Sequence, residues 1–171
     1  MITTLLLILG VVGLAIITVA LAFFLGMRAK SRLVRGVMIW FTRTIVNPMQ
    51  MKSAGTPGAY AAVIRARGRV SGRLYETPIG AVVSGDAFVV ALPYGTQASW
   101  VRNVLAAGSA ELVHEGHTYE VDRPELVPMA GLESCFSEPD QRAQRMTRVD
   151  QCLRLHNAGE ATRTAPAPEP A

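Results

Sequence analysis

The feature that most constrains this 171-residue chain is an uncharged apolar run near its start, residues 5–26. As a helix this run would be about 33 Å long, enough to cross a hydrocarbon core of about 30 Å. A cleaved signal peptide is the competing interpretation, but such peptides open with a basic segment and have a shorter apolar core. The chain begins Met-Ile-Thr-Thr, without a basic residue. The sequence therefore favours an uncleaved transmembrane anchor over residues 1–27.

Charge is distributed very unevenly along the chain. Residues 1–75 contain ten Lys and Arg and no acid, whereas the remainder contains seven Lys and Arg against thirteen acids. Four of the basic residues directly follow the apolar run, at positions 28, 30, 32 and 35. The positive-inside rule then predicts a single-pass protein of the cell membrane with its C-terminal domain in the cytoplasm. The basic half is expected to lie against anionic membrane lipid. No nucleic-acid-binding motif accompanies it, so nucleic acid is not an expected partner.

Residues 28–58 are predicted to form a basic amphipathic juxtamembrane segment. Residues 31–46 within it place apolar side chains at helical spacing, namely Leu33, Val34, Val37, Met38, Phe41 and Ile45. Such a helix either lies on the membrane face or packs its apolar stripe on the folded domain. Asn47-Pro48 is expected to end the helix, and residues 53–58 have the composition of a turn.

Residues 59–157 are predicted to form a mainly β domain. Residues 60–64 form the first candidate strand, and residues 79–83 and 87–92 predict a hairpin around Gly85. A second hairpin is predicted from residues 110–114 and 117–121 around Glu115-Gly116, with residues 123–128 extending its second strand. Roughly six short strands favour a small barrel.

Two helices complete the predicted domain. Residues 99–107 are expected to form a short helix, with Ser99 as a possible N-cap and Gly108 closing it. Residues 141–156 are expected to form a closing helix, because their apolar side chains fall at helical spacing. Residues 158–171, rich in Pro and Ala, are predicted to be a disordered tail.

An arginine-rich stretch, residues 65–78, stands between two apolar segments and predicts a strand, a glycine-bearing turn and a second strand. It contains four arginines within nine residues, together with Gly68, Ser71 and Gly72. Backbone N–H groups, a hydroxyl and guanidinium groups in one small volume suit a phosphate or carboxylate ligand. The alternative is a solvated hairpin tip with basic ends.

Other motifs are weaker signals. His114-Glu115-Gly116-His117 lacks the helical His-Glu-x-x-His spacing, so an exposed turn is favoured over a metal site. The spacing around Ser71 is not that of a nucleophile elbow, which disfavours serine hydrolysis. Cys135 and Cys152 form no Cys-x-x-Cys pair and are expected to be plain thiols.

The order of these segments resembles the deazaflavin-dependent nitroreductase family, the coenzyme F-420-dependent quinone and nitroarene reductases. The likeness runs through Arg-Val-Ser-Gly-Arg, Thr-Pro, Pro-Tyr-Gly-Thr and Trp-Val-Arg-Asn, and covers residues 59–128. It implies a split β-barrel resembling flavin-reductase folds, preceded here by one transmembrane helix. It also implies coenzyme F-420 as cofactor, with FMN less favoured, a quinone or other small-molecule acceptor and the possibility of a homodimer. The implied activity is hydride transfer from the reduced coenzyme to a quinone-like or nitroaromatic acceptor.

The resemblance also implies site residues. The turn would cradle the coenzyme's phosphate and acidic tail, and a later loop and helix would approach the deazaflavin ring. The positions that match are Arg69, Ser71, Gly72, Arg73, Thr77, Pro78, Tyr94, Gly95, Thr96, Trp100 and Asn103.

This chain departs from the family at two positions, with Val70 and Tyr75 where basic residues often stand. Arg73 lies between them on the same turn and is expected to compensate. Fewer cations weaken an anion site, because charge-assisted hydrogen bonds are the strong ones. A non-catalytic, membrane-tethered barrel that binds an anionic, flavin, haem or lipid ligand is therefore the alternative.

Overall fold

The computed structural model describes residues 31–160 and, before them, residues 10, 13–14, 18, 20–22 and 25–26. Most of the predicted anchor, and residues 161–171 of the predicted tail, lie outside the described residues. Among those described, no helix is both long and apolar enough to cross a membrane. The chain forms two compact units, Met1–Phe41 and Thr42–Ala171.

The predicted juxtamembrane helix is present. Helix α1 is Arg32–Phe41, and the second unit begins with a π-helical turn, Thr42–Val46, followed by the short helix α2, Asn47–Gln50. The expectation that Asn47-Pro48 ends the helix was wrong. Pro48 lies in the first turn of α2, where its missing N–H costs no hydrogen bond. Contact of this segment with a membrane stays a prediction.

In the described part of the chain, seven strands form one antiparallel sheet in the order β2-β1-β5-β6-β7-β4-β3. They are β1 (Ala62–Arg67), β2 (Leu74–Ile79), β3 (Ala81–Ser84), β4 (Ala87–Ala91), β5 (Ser109–His114), β6 (His117–Pro128) and β7 (Gln151–Glu160). Strands β2 and β3 stand at opposite edges of this order, yet only Gly80 separates them in the chain. The sheet must therefore roll until its two edges meet, which gives an open half-barrel of the split-barrel kind.

The three predicted hairpin turns are confirmed. Gly72, Gly85 and Gly116 all have positive φ, at 67°, 63° and 81°, which glycine adopts without the steric cost other residues meet. They lie in the β1–β2, β3–β4 and β5–β6 turns. The β1–β2 hairpin runs in register from Ala62↔Ile79 to Arg67↔Leu74, so its tip is residues 68–73.

Helix α3, Ser99–Ala107, ends at Gly108, which has the predicted left-handed conformation with φ 73°. The prediction of Ser99 as N-cap was wrong. The capping position is Ala98, whose side chain makes no hydrogen bond, and Ser99 is the first helical residue. The helix stays in place through its buried side, where Val101 and Val104 belong to the main core.

The predicted closing helix over residues 141–156 was wrong in most of its length. A 3₁₀ turn, Glu133–Cys135, leads into helix α4, Glu138–Thr147, and Arg148 then takes a left-handed conformation with φ 54°. Strand β7 follows between β6 and β4. It reaches Glu160, so the predicted tail begins later than residue 158.

The core has two layers because the central strands are buried on both faces. The main cluster lies inside the curved sheet and includes Ile64, Leu112 and Leu153. A second cluster on the other side of β4 and β7 holds Val89 and Cys152, covered by Met129 and Phe136.

Candidate functional site

The described residues enclose a cavity of about 530 Å³ within the second unit. Its walls are the helical segment from residue 43 to 51, the β1–β2 hairpin with its tip, and the start of α3. The lining residues are Arg43, Asn47, Pro48, Met51, Ile64, Ala66, Gly68, Arg69, Val70, Ser71, Tyr75, Glu76, Thr77, Pro78, Ser99, Trp100 and Asn103.

Asn103 fixes the tip of the hairpin to helix α3. Its side chain is only 7% exposed and is the one polar side chain among the buried residues of the described chain. The backbone N–H of Arg69 donates to Asn103 Oδ1 at 3.3 Å, and Arg69 Nη1 donates to the same oxygen at 3.1 Å. One amide therefore sets both the path of the turn and the position of the Arg69 guanidinium group.

The tip closes through its own backbone. Gly68 N–H donates to the Arg73 carbonyl and Gly72 N–H donates to the Gly68 carbonyl, both at 2.8 Å. The N–H groups of Val70 and Ser71 donate to no other group in the described chain. Successive free N–H groups at a turn are candidate donors to an anion.

Gly68 is needed where the tip and β2 come closest. A Cβ atom at this position would lie 2.6 Å from Tyr75 Cε2 and 2.7 Å from Ser71 Oγ. The space it would fill is used by a hydrogen bond of 3.1 Å between Ser71 Oγ and Tyr75 Oη. Tyr75, one of the two departures from the family pattern, thus holds the serine hydroxyl in place.

The cavity has an excess of positive charge. Arg43 and Arg69 line it, and neither is paired with a carboxylate among the described residues. The carboxylate that lines it, Glu76, is held by Arg65 at 2.7 Å. The cavity can therefore attract an anion through two unpaired guanidinium groups and two free backbone donors.

The structure brings six of the predicted site residues together. Those that line the cavity are Arg69, Ser71, Thr77, Pro78, Trp100 and Asn103. The other five, Gly72, Arg73, Tyr94, Gly95 and Thr96, lie outside its lining, and their contact with a coenzyme stays a prediction. Tyr94 Oη instead hydrogen-bonds Thr42 Oγ1 at 3.0 Å, which ties the loop after β4 to the π-helical turn.

Sequence reasoning missed the helical wall. Arg43, Asn47 and Met51 line the cavity from the predicted juxtamembrane segment, which was expected to lie on the membrane face or pack on the domain and to which no site residue was assigned. Their spacing of four residues puts them on one helical face, and this was the available signal. The π-helical turn that contains Arg43 is a second indication of a site in the structure, because such turns are frequent at functional sites.

The remaining chemical motifs lie elsewhere. His114 and His117 flank the β5–β6 turn, where His117 Nδ1 is 2.7 Å from Glu160 Oε1. Within the described chain, no three His, Cys, Asp or Glu side chains are grouped so as to hold a metal ion. Cys135 and Cys152 are both free thiols, as expected.

Residues 40–136 match the model of the F420H(2)-dependent quinone reductase family. Among solved structures, the chain is similar to a 5-nitroimidazole antibiotic resistance protein of Bacteroides thetaiotaomicron, with 11% identity, 60% of this chain and 75% of that chain covered, and a TM-score of 0.45. It is also similar to an F420-H2 dependent reductase, with 14% identity, 57% and 94% covered, and a TM-score of 0.41. No curated protein matches the chain.

Proposed function

The chain belongs to the F420H(2)-dependent quinone reductase family, and from this premise we propose that it transfers a hydride from reduced coenzyme F-420 to a quinone-like or nitroaromatic acceptor. Membership implies the coenzyme as its cofactor. The single observation that carries the proposal is the cavity of about 530 Å³ with two unpaired arginines and two free N–H groups on its walls. That volume lies in the range of small-molecule sites, about 300–1,000 Å³.

The residues present fit the coenzyme's phosphate and acidic tail. Arg69, held by Asn103, and Arg43 both line the cavity and offer charge-assisted donors. The free N–H groups of Val70 and Ser71, two further lining residues, add neutral donors. We assign the anionic part of the coenzyme to these four groups.

The apolar part of the cavity suits a planar ring system. Ile64 and Ala66 of β1 are buried, and Trp100 of α3 packs against the core beside them. These side chains exclude water and offer flat contact area to a ring. When bound, the reduced deazaflavin supplies the hydride, so the protein's part is to bind, orient and dehydrate the reactants.

Binding is tested by titrating the detergent-solubilised full chain with oxidised coenzyme F-420, followed by fluorescence, with FMN as the control ligand. Arg43→Gln and Arg69→Gln are each expected to weaken binding about 10- to 100-fold, because a charge-assisted hydrogen bond contributes about 1.5–3 kcal/mol. Arg102→Gln is the matched control, since Arg102 is exposed on α3 and does not line the cavity. An equal loss in all three variants would refute a specific anion site.

Activity is tested by mixing the reduced coenzyme with the full chain and either a menaquinone-like quinone or a nitroaromatic compound. Coenzyme oxidation that depends on protein and acceptor supports the reductase proposal, and the faster acceptor identifies the substrate class. Tight binding of coenzyme without oxidation by either acceptor would refute the proposed reaction.

A membrane tether is part of the proposal because the apolar run at residues 5–26 would hold the domain beside lipid-soluble quinones. We infer a single membrane pass with the catalytic unit in the cytoplasm. The full chain should stay with membranes through an alkaline carbonate wash, and a chain that starts at residue 28 should be released. Release of both would refute the tether.

The second candidate function is a non-catalytic, tethered barrel that binds an anionic, flavin, haem or lipid ligand. Tyr75 favours this function, because its hydroxyl forms a hydrogen bond with the Ser71 hydroxyl. Ser71 can then form fewer hydrogen bonds with a ligand. Absence of coenzyme binding in the titration, together with a ligand retained from native membranes, would select this function.

A further inference from the structure

The outer face of the β1–β2 hairpin ends in exposed apolar side chains. In the sheet register Arg67 stands opposite Leu74, and Ala66 stands opposite Tyr75. Because side chains alternate between the two faces of a strand, Arg67 and Leu74 lie on the face opposite to the cavity-lining Ala66 and Tyr75. Leu74 is 58% exposed, and Val70 at the apex is 89% exposed.

Cations surround these apolar side chains. We call residues 67–74 the basic tip; it contains Arg67, Arg69 and Arg73, all exposed, and no acid. Neither Arg67 nor Arg73 is paired with a carboxylate in the described chain or lines the cavity. Arg67 Nη1 donates one long hydrogen bond, 3.4 Å, to the Gly72 carbonyl within the tip. The basic tip therefore presents two exposed guanidinium groups that have no carboxylate partner among the described residues and do not line the cavity.

The nearest carboxylates, one of which also borders the cavity, are already held by an arginine further along β1. Glu76 lies 2.7 Å and Glu111 lies 3.5 Å from Arg65, whose register pair with Glu76 is two positions away from the Arg67↔Leu74 pair. Positive charge thus increases toward the apex, where the aliphatic side chains are most exposed.

We propose that the basic tip docks on an anionic lipid surface, with Val70 and Leu74 entering the interface and Arg67 and Arg73 contacting lipid phosphates. Aliphatic side chains beside exposed cations are the combination that binds a charged bilayer interface, since it joins burial of apolar area to attraction by anionic lipid. Charge complementarity selects this occupant: the arginines repel a second copy of the same tip. The apex carries no Phe or Trp on which a nucleic-acid base would stack.

Docking would place the cavity at the lipid surface. Val70 belongs both to the basic tip and to the cavity lining, so the rim of the cavity reaches the tip. A lipid-soluble acceptor would then enter the cavity without crossing bulk water. This consequence rests on the proposed reductase function, but docking does not, because it needs no coenzyme.

The test uses the full chain reconstituted in nanodiscs of phosphatidylcholine alone or of mixed phosphatidylcholine and phosphatidylglycerol, with brominated acyl chains as quencher. An environment-sensitive dye is attached through Val70→Cys in a Cys135→Ser background, in which Cys152 is fully buried. The matched control carries the dye through Val83→Cys, because Val83 is 57% exposed on the β3–β4 hairpin and lies outside the basic tip.

The dye at position 70 is expected to be quenched in the anionic discs and much less in discs of phosphatidylcholine alone. The dye at position 83 is expected to be quenched in neither. An Arg67→Gln, Arg73→Gln double variant should lower the ratio of docked to undocked protein about 25-fold, since each cation near an anionic surface contributes about fivefold. Equal signals at both positions, or no effect of the double variant, would overturn the proposal.

Two further results are decisive. A signal that depends on protein concentration in lipid-free detergent would identify a protein partner as the occupant and overturn lipid docking. Coenzyme binding is measured separately by the titration above. Quenching at position 70 in a protein that binds no coenzyme would support docking while the proposed function fails.

Discussion

Replacement of Asn103 by two different residues separates the stability of the hairpin tip from its charge. Asn103 Oδ1 accepts one hydrogen bond from the backbone of Arg69 and one from its guanidinium group. A neutral hydrogen bond contributes about 1 kcal/mol to stability. A hydrogen bond to a charged group contributes about 1.5 kcal/mol at the low end of its range, and we use this value because Arg69 is exposed. Asn103→Ala is therefore expected to reduce the free energy of unfolding by about 2.5 kcal/mol.

This loss should lower the midpoint of thermal unfolding by about 10 °C, at about 4 °C per kcal/mol for a unit of this size. The measurement is Trp fluorescence of the solubilised full chain. Asn157→Ala is the matched control, because Asn157 is exposed and its Oδ1 accepts only one bond, from Gly159 N–H at 3.0 Å. The control should stay within about 0.5 kcal/mol of the parent protein.

Asn103→Asp keeps the acceptor oxygen and the side-chain volume but adds a negative charge beside Arg69. We expect the unfolding midpoint to change little, because the carboxylate pairs with the guanidinium group. Coenzyme affinity should nevertheless fall at least tenfold, since that pair neutralises one of the two cations in the cavity. A destabilised Asp variant, or an Ala variant as stable as its parent, would refute the anchoring role of Asn103.

Three further predictions concern neighbouring features. Gly68→Ala should reduce the unfolding free energy by about 1 kcal/mol, because the new Cβ would lie 2.6 Å from the Tyr75 ring; adding Tyr75→Ala should remove that penalty in a double-mutant cycle. Desolvation and a 2.8 Å hydrogen bond to Asp140 raise the pKa of Tyr60 to about 12, although its side chain as a whole is 69% exposed. Its contribution to stability is therefore small, is complete below pH 10 and is lost as the pH rises through 12. Denaturant titrations at pH 9 to 12 should show a shallow decline that Tyr60→Phe abolishes. Burial also raises the pKa of Cys152 to about 11, so at pH 8 a thiol reagent should modify one cysteine in the native protein and both after unfolding.

Local turn chemistry made the hairpins predictable from the sequence. Each of the three turns carries a glycine, and in two of them short apolar segments of the right length stand on both sides. The β1–β2 turn is different, because the strand after it, Leu74–Ile79, is exposed over its first three residues and the apolar segment predicted there, residues 79–83, is mostly β3. The family order of motifs also led to the correct coenzyme family. Both predictions rest on residues close together in the chain, whose backbone preferences determine the local structure.

The C-terminal strand was missed because burial on two faces imitates helical spacing. Cys152 packs in the outer cluster and Leu153 in the main one, so consecutive apolar residues are both fully buried. A signal for the true helix was present in Ser137 and Asp140, which form a reciprocal cap: Asp140 N–H donates to Ser137 Oγ at 3.4 Å, and Ser137 Oγ donates to Asp140 Oδ2 at 2.6 Å. That cap starts the helix earlier than predicted and leaves the chain free to form β7.

The site was only partly predictable because its cations come from distant parts of the chain. The sequence suggested that Arg73 compensates for Val70 and Tyr75, since it lies between them on one turn. The cavity instead obtains its second arginine from Arg43, which the helical segment before the barrel brings into the lining. Spacing along the chain carries no information about this contact, because the contact depends on how the helical segment packs against the curved sheet. The two departures from the family pattern therefore leave a cavity that keeps two unpaired cations, while Arg73 lies outside its lining and Val70 is shared between the lining and the exposed apex.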